Sequence, residues 1–330
     1  MSVPLDNAAL EEALAPRLAL VEERLRDAVA QSDRLADATS KHLVEAGGKR
    51  LRPLLALLTA RLGDSSRPEV VDAAVVVELT HLATLYHDDV MDSAPTRRGA
   101  PAAHEVWGNS VAILTGDLLF ARASRVVAGL GPEAVRIQAE TFERLCIGQL
   151  HETVGPADGA DPIEHYIQVL ADKTGSLIAT SARFGAMFAG CGSSYVNPVT
   201  RYGELAGVAF QLADDVIDLR SAGAVTGKTP GTDLREGVAT MPVLLLRQRV
   251  AQGGDAADAA LLKRIDGDLS DDAVLADVVA ELSAHPVVDD TQTQARMWAA
   301  RAVEAIAPRP DGDVTAALLA LADQLVERAS

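Results

Sequence analysis

Two acidic clusters, HDDVMD at 87–92 and QLADDVID at 211–218, sit inside apolar segments of helical period and limit what this chain can fold into. Asp88 and Asp92 are four residues apart, as are Asp214 and Asp218, so each pair projects from one helix face. Like charges at that spacing repel, and burying them costs still more. Cations are the obvious compensation, and an all-oxygen carboxylate set suits Mg2+ better than zinc or copper. Mg2+ keeps waters and shares its shell with substrate phosphates. The clusters therefore read as two walls of a diphosphate-binding cleft.

A chain of 330 residues can bury a large core, as one big helical domain or two smaller ones. Alanine and leucine abound while aromatics are only 3%, which favours helices over sheets. The net charge of −17 argues against a nucleic-acid binder, which needs a basic face. Part of that charge is expected at metal sites and most on a solvated surface. Cys146 and Cys191 are too few for a disulfide framework and suit a reducing compartment. The first residues, MSVPLDNAALEE, carry acids where a signal peptide has a basic region. No stretch reaches about 18 uncharged apolar residues, so no spanning helix is expected. A soluble, cytoplasmic protein is the expectation.

Apolar positions at three-four spacing over 5–46 predict one or two amphipathic helices, ended by Gly47-Gly48. KRLRP then opens a buried helix, with Pro53 near its first turn. A long helix is predicted from Glu69 to Met91, with almost no charge before Glu78. A polar, turn-rich connection follows over 92–108, then helices at 109–129, 133–153, 162–190 and 197–219. The Gly-rich segment 221–233 reads as a loop, 240–251 as a helix, and 252–330 as shorter helices. Alternating strand patterns are missing, so the expected architecture is all-α.

His81, Leu85, Asp88 and Asp92 follow a 4-3-4 spacing and share one helix face. A lone histidine there would ordinarily be a core or surface residue. Its register to Asp88 argues for a place in the site, whereas His87 lies off the stripe and reads as packing. Arg97-Arg98 follows directly; an exposed pair is usually solvated, but beside phosphate two guanidiniums can grip it in bidentate fashion. GGKRLRP at 47–53 offers Lys49 and Arg52 on one helical face near an anion-favouring helix N-terminus. Lys173-Thr174 and Lys228 carry less weight singly, since a loop lysine is mostly surface decoration.

Together these motifs resemble one family. GGKRLRP, HLATLYHDDVMD followed by RRG, WGNSVAILTGD, GQ, KTG, FQLADDVID and GKTPGTDLREG occur in the order of the trans-polyprenyl diphosphate synthases, bacterial long-chain members most of all. The resemblance implies a single domain over 1–330, one large helical bundle around a deep central cavity of isoprenoid synthase type. It places Asp88, Asp92 and Asp214 on Mg2+ ions, three in all, that bridge an allylic diphosphate, with Asp215 and Asp218 completing the second motif. Arg97, Lys173 and Lys228 match residues holding the allylic diphosphate; Lys49, Arg52, His81 and Arg98 match those holding isopentenyl diphosphate. Thr174 and Gln211 fall near the developing cation and the departing diphosphate. Gln149 and Glu152 match a cleft-facing GQxx(D/E) pair, with Glu152 an additional metal candidate. Many members carry a lysine after the Gly of LREG, where this chain has Val238.

The implied reaction is ionisation of the allylic diphosphate, attack by the alkene of isopentenyl diphosphate, and proton loss to a new trans double bond. A growing tail would run along the first acidic helix toward Glu69, past Thr84, Ala83, Thr80 and Val77. None of these is aromatic, so an open tunnel and a hexaprenyl-to-decaprenyl product are expected, with geranylgeranyl diphosphate the alternative. Leu118, Leu119 and Phe120 are candidates for a floor set by another helix. A terpene cyclase or a non-catalytic regulatory subunit fits less well, because both acidic motifs and the basic positions are present. The resemblance further implies a homodimer and peripheral membrane contact when product leaves, while the net charge argues for no nucleic-acid partner.

Overall fold

The computed structural model describes residues 7–220, 230–306 and 312–327, and within them the all-α expectation holds. Contacts group the chain into two compact units: 1–145 with 176–204 and 305–321, and 146–175 with 205–304 and 322–330.

The first unit is built on α4 (Pro68–Met91), which starts with proline in its first turn and is apolar on nearly every face. A helix of that kind must be covered all round, and α1 (Ala8–Val29), α3 (Leu51–Ala60), α5 (Ala103–Trp107), α6 (Asn109–Ala128) and α9 (Ser176–Phe188) pack on it. By length and composition α4 could cross a membrane, yet 72% of its most apolar window is buried here. Glycines set the closest approaches. A Cβ on Gly116 of α6 would lie 2.4 Å from His87 Nε2 and 3.0 Å from the Ala83 carbonyl of α4. His87 therefore packs against α6, as its place off the stripe suggested. A Cβ on Gly185 of α9 would lie 1.9 Å from the Ala56 carbonyl and 2.3 Å from Thr59 Oγ1.

α2 (Arg34–Glu45) is tied to α4 by Tyr86, fully buried, whose hydroxyl donates to the Thr39 carbonyl and accepts from Leu43 N–H. Burial pushes the Tyr86 phenol up to about 12. The turn-rich 92–108 segment holds the one strand pair among the described residues, β1 (Thr96–Arg97) and β2 (Ala100–Pro101), antiparallel with Arg97 opposite Ala100. Its two-residue turn is Arg98-Gly99, at φ 55° and 79°, the left-handed pair that matches strand twist.

The second unit begins within α7 (Pro132–Val154) and includes α8 (Pro162–Leu170) and a π-helical turn, Ala171–Gly175. It continues with the C-terminal part of α10 (Ser193–Arg220), α11 (Thr232–Arg235), α12 (Met241–Ala251), α13 (Ala256–Ile265), α14 (Asp272–Ser283) and α15 (Pro286–Ile306). The last helix, α16, spans Asp313–Glu327. Buried Asp258 accepts from Arg249 Nε at 2.7 Å and sits 3.0 Å from His285 Nε2, fastening α12 and α13 to the residue before α15. Some of the acidic excess is local hydrogen bonding: Asp33, Asp161, Asp255 and Asp271 cap helix N-termini through their side chains.

Three features depart from the sequence pattern. The predicted helix 162–190 is broken by the π turn, because one inserted residue shifts the following face without leaving a composition signal. α10 begins at Ser193, ahead of the expected 197, and keeps Pro198 inside it. α15 runs 21 residues, where only shorter helices were expected.

Gly185→Ala is expected to destabilise the fold by about 1–3 kcal/mol, because the methyl meets backbone that cannot retreat. Gly192→Ala, with nothing within 4 Å of its Cβ, should stay within about 0.5 kcal/mol. Chemical denaturation of the two variants checks this; equal midpoints would contradict the packing account.

Candidate active site

The C-terminal end of α4 carries Asp88, Asp89 and the cap residue Asp92, and no basic residue lies in its last turn. Carboxylates there oppose the helix dipole as well as each other. Asp88 is half-buried and Asp92 exposed, while the intervening Asp89 points inward and is buried. Asp89 Oδ1 accepts from Arg97 Nε at 2.6 Å, and its Oδ2 is buried without a hydrogen-bond partner. Burial pushes the Asp89 carboxyl up and Arg97 opposes that shift. The RR pair is thus divided by its turn: Arg97 faces Asp89, and Arg98 reaches the C-terminal end of α2.

Arg98 Nη1 donates to the Leu43 carbonyl at 3.0 Å and to the Gly47 carbonyl, filling acceptors left over at that helix end. Gly48 makes room for it, since a Cβ there would lie 2.8 Å from Arg98 Cζ. Arg50 is held beside it, with Nη1 2.8 Å from Glu78 Oε1, Nη2 3.1 Å from the Val44 carbonyl and Nε 2.5 Å from Glu22 Oε1. Gly47, Gly48 and Arg50 all have positive φ, so α3 starts only at Leu51. This corrects the expectation that Lys49 and Arg52 share a helical face: Lys49 precedes the helix and is exposed.

Arg52 Nε is buried without a hydrogen-bond partner, and burial pulls its guanidinium down to about 10, with Glu78 opposing and Arg98 adding to the fall. His81 lies among these charges. Burial, then Arg52, Arg98, Arg97 and Arg50, holds its imidazole well below the ordinary value, so it is neutral at pH 7. The result is a basic pocket two turns before Asp88, with cation capacity beyond what its protein partners take up.

Below it, Val77, Thr80 and Ala83 are fully buried and Thr84 is half-buried. Thr80 Oγ1 lies 3.4 Å from Gln138 Nε2, and Thr141 Oγ1 lies 2.6 Å from Thr180 Oγ1. Leu119 is core, Leu118 half-buried, and Phe120 stacks on Phe142 with ring centroids 3.8 Å apart.

In the second unit, Asp214 and Asp218 are half-buried and Asp215 between them is buried. The Tyr166 hydroxyl of α8 lies 3.0 and 2.9 Å from the two Asp215 oxygens, and Met241 N–H donates to Oδ2 at 3.1 Å. Asp215 thereby joins α8, α10 and the start of α12. Burial pushes its carboxyl well above the usual range; Met241 and Tyr166 oppose this, and the charges of Asp233 and Asp214 add to it. Asp233 is brought near because Gly231 N–H bonds the Asp218 carbonyl at 3.1 Å. Val238 N–H bonds the Asp233 carbonyl at 2.9 Å.

The π turn carries Lys173 and buried Thr174. A Cβ on Gly148 would lie 2.8 Å from Lys173 N, so the GQ glycine lets α7 approach this turn. Lys173 Nζ pairs with Glu152 Oε2 at 2.5 Å. Gln149 Oε1 is buried without a hydrogen-bond partner, and Gln211 is half-buried one turn before Asp214. Lys228 lies outside the described residues.

Among the described residues no three His, Cys, Asp or Glu side chains form a ready-made metal cage. Pairs of carboxylates crowded four residues apart on one helix still fit Mg2+, which takes one or two protein carboxylates and fills its shell with water and phosphate. They do not fit zinc, which takes a closed histidine and cysteine set. Sequence reading missed Arg50, Glu22, Glu78, Tyr166 and Asp233. Only Glu78 left a signal, as a lone charge in an apolar run three residues from His81.

Residues 33–282 match the family described as Polyprenyl synthetase. A nonaprenyl diphosphate synthase of Mycobacterium tuberculosis is 44% identical over 327 residues, 99% of this chain and 96% of that protein. A solved polyprenyl synthase from Caulobacter crescentus, complexed with calcium and isoprenyl diphosphate, aligns at TM-score 0.90 and 33% identity, covering 100% of this chain and 99% of its own. A geranylgeranyl pyrophosphate synthase from Corynebacterium glutamicum, with the same two ligands, aligns at 0.86 and 40% identity over 99% of both chains.

The depressed pKa of His81 sets a pH dependence. Its folded pKa is depressed, so below the unfolded value near 6.5 the unfolded chain binds a proton that the native state refuses. Stability is full above that pH and falls below it, by at most about 1.4 kcal/mol per unit. His81→Gln should flatten that loss between pH 7.5 and 5 in urea unfolding of the ligand-free protein. An unchanged slope would contradict the neutral imidazole.

Proposed function

The chain belongs to the polyprenyl synthetase family, and from that premise we propose a Mg2+-dependent trans-prenyltransferase that condenses isopentenyl diphosphate with an allylic diphosphate. The observation that carries the proposal is the charge order on α4, where His81 lies among arginines and Asp88 and Asp92 follow two turns later. Arg52, Arg98, Lys49 and His81 would hold the isopentenyl diphosphate without a metal, through charge-assisted hydrogen bonds. By family analogy Asp88, Asp92, Asp214 and Asp218 would hold the ions, three in all. Mg2+ held by these carboxylates would supply positive charge to the departing diphosphate.

The remaining roles belong to the chain itself. Asp89 aims Arg97 at diphosphate oxygens. Lys173, released from Glu152, would donate to diphosphate oxygens, and family analogy gives Lys228 the same role. Thr174 and Gln211 would offer dipoles to the allylic cation, while Gln149 and Glu152 orient the π turn. Asp215 is engaged by Tyr166 and Met241, so its part is to position Asp214 and Asp218. Apolar side chains of α4 keep water from the cation.

The 44% likeness to a nonaprenyl diphosphate synthase and the non-aromatic column Val77, Thr80, Ala83 and Thr84 support a hexaprenyl-to-decaprenyl product. A geranylgeranyl product is the second reading, favoured by the 40% likeness to the Corynebacterium glutamicum enzyme and by the Phe120–Phe142 stack as a floor. We assign a homodimer on the apolar surface of α5 and α6, where Val106, Ile113 and Leu114 are exposed, and a passing membrane contact when product leaves. Cytoplasmic placement belongs to the same proposal; Cys146 and Cys191, not joined in a disulfide, support it.

Purified protein with Mg2+, labelled isopentenyl diphosphate and farnesyl diphosphate should yield products of six or more isoprene units. A stop at four units would favour the second reading, and no elongation with any primer would overturn both. Asp88→Ala and Asp214→Ala should each cut turnover by roughly a hundredfold or more while remaining folded. Thr84→Phe should shorten the ladder; an unchanged ladder would place the tail elsewhere.

A further inference from the structure

Glu78 is an anomaly in the core of α4. Its neighbours Val75, Val76, Val77 and Leu79 are buried and apolar, and the Glu78 carboxylate among them is 1% exposed. A buried carboxylate needs paired charge and hydrogen bonds, and a well-packed apolar residue would serve stability equally well or better. Glu78 Oε1 lies 2.8 Å from Arg50 Nη1 and 3.8 Å from Arg98 Nη2, so one oxygen faces two guanidiniums. Arg50 is held from its other side by Glu22 and the Val44 carbonyl, and Arg98 by the Leu43 and Gly47 carbonyls.

We propose that Glu78 is a positioning residue for the isopentenyl diphosphate site, fixing Arg50 and Arg98 behind His81 so that Arg98 and Arg52 meet the diphosphate in one geometry. The inference rests on the function proposed above and adds a residue that never touches substrate. Arg50, Arg52 and Arg98 repel one another at close quarters, and without a buried anion they would swing toward water. Glu78 removes that repulsion from the interior and leaves the pocket cationic, because Glu78 and Glu22 together face Arg50 and Arg98 while Arg52 adds a third guanidinium. Arg52 feels the Glu78 charge but keeps a buried Nε without a hydrogen-bond partner, and is left to receive the anion.

Glu78→Gln tests this, since the amide keeps the shape and one acceptor while losing the charge. The apparent KM for isopentenyl diphosphate should rise at least about tenfold. Both kcat and the KM for the allylic primer should stay within about threefold. A purely structural role would lower the unfolding midpoint and the active fraction without that split. Equal rises for both substrates, or an unchanged KM, would overturn the proposal. Tighter isopentenyl diphosphate binding would overturn it too, by showing that Glu78 only tempers charge.

If Glu78→Gln does not fold, the paired change Arg50→Met with Glu78→Met removes both buried charges together. That variant should fold and retain the raised KM; a normal KM would overturn the proposal. A wild type without prenyl turnover would sink the function instead. Glu78 would then be judged by direct binding of inorganic pyrophosphate. A tenfold loss in Glu78→Gln would support positioning, and equal or tighter binding would overturn it.

Discussion

Covering α4 on every side is the constraint from which the first unit follows. A 24-residue apolar helix has no face to give to water, so five other helices close around it. Gly116 lets the packing on it close up, and Gly185 does the same between α9 and α3. Charge is admitted only where it is answered. Glu78 meets Arg50 and Arg98, and Asp89 meets Arg97. Asp88 and Asp92 emerge at the helix end, where the dipole already disfavours a carboxylate and a cation is wanted.

Along this one helix the electrostatic character reverses within eleven residues, from the arginine-lined His81 to Asp92. Such a surface can hold one diphosphate directly and another through divalent ions. The second unit repeats the acidic half of the scheme on α10. There Asp215 is bound by Tyr166 and Met241, with the charge of Asp233 near. Lys173 sits on a π turn, a helical irregularity common at functional sites because it re-aims side chains without breaking the helix.

Much of this was legible in the sequence. Periodicity located nearly all helices, and the four-residue spacing of the aspartates put each pair on one helix. His81 was placed correctly on the stripe leading to Asp88, and His87 correctly off it. What escaped has physical causes. The π turn is a one-residue insertion and leaves no composition signature. The left-handed backbone at Arg50 and Arg98 is sustained by tertiary hydrogen bonds to α2, which local pattern does not reveal, so Lys49 was assigned to a helix it precedes. Glu78, Tyr166 and Asp233 act through partners distant in sequence, and a lone glutamate or tyrosine in a helix does not announce its partner.

The most direct test of the account is the metal dependence of the two substrates measured separately by equilibrium binding. Isopentenyl diphosphate should bind the arginine pocket with an affinity that EDTA changes by less than about threefold, since its contacts are protein cations. A non-ionising farnesyl thiodiphosphate should lose roughly a hundredfold or more when Mg2+ is removed, because carboxylates alone repel it. Equal metal dependence for both ligands, or none for either, would contradict the division of the site into a basic and a metal-bearing half.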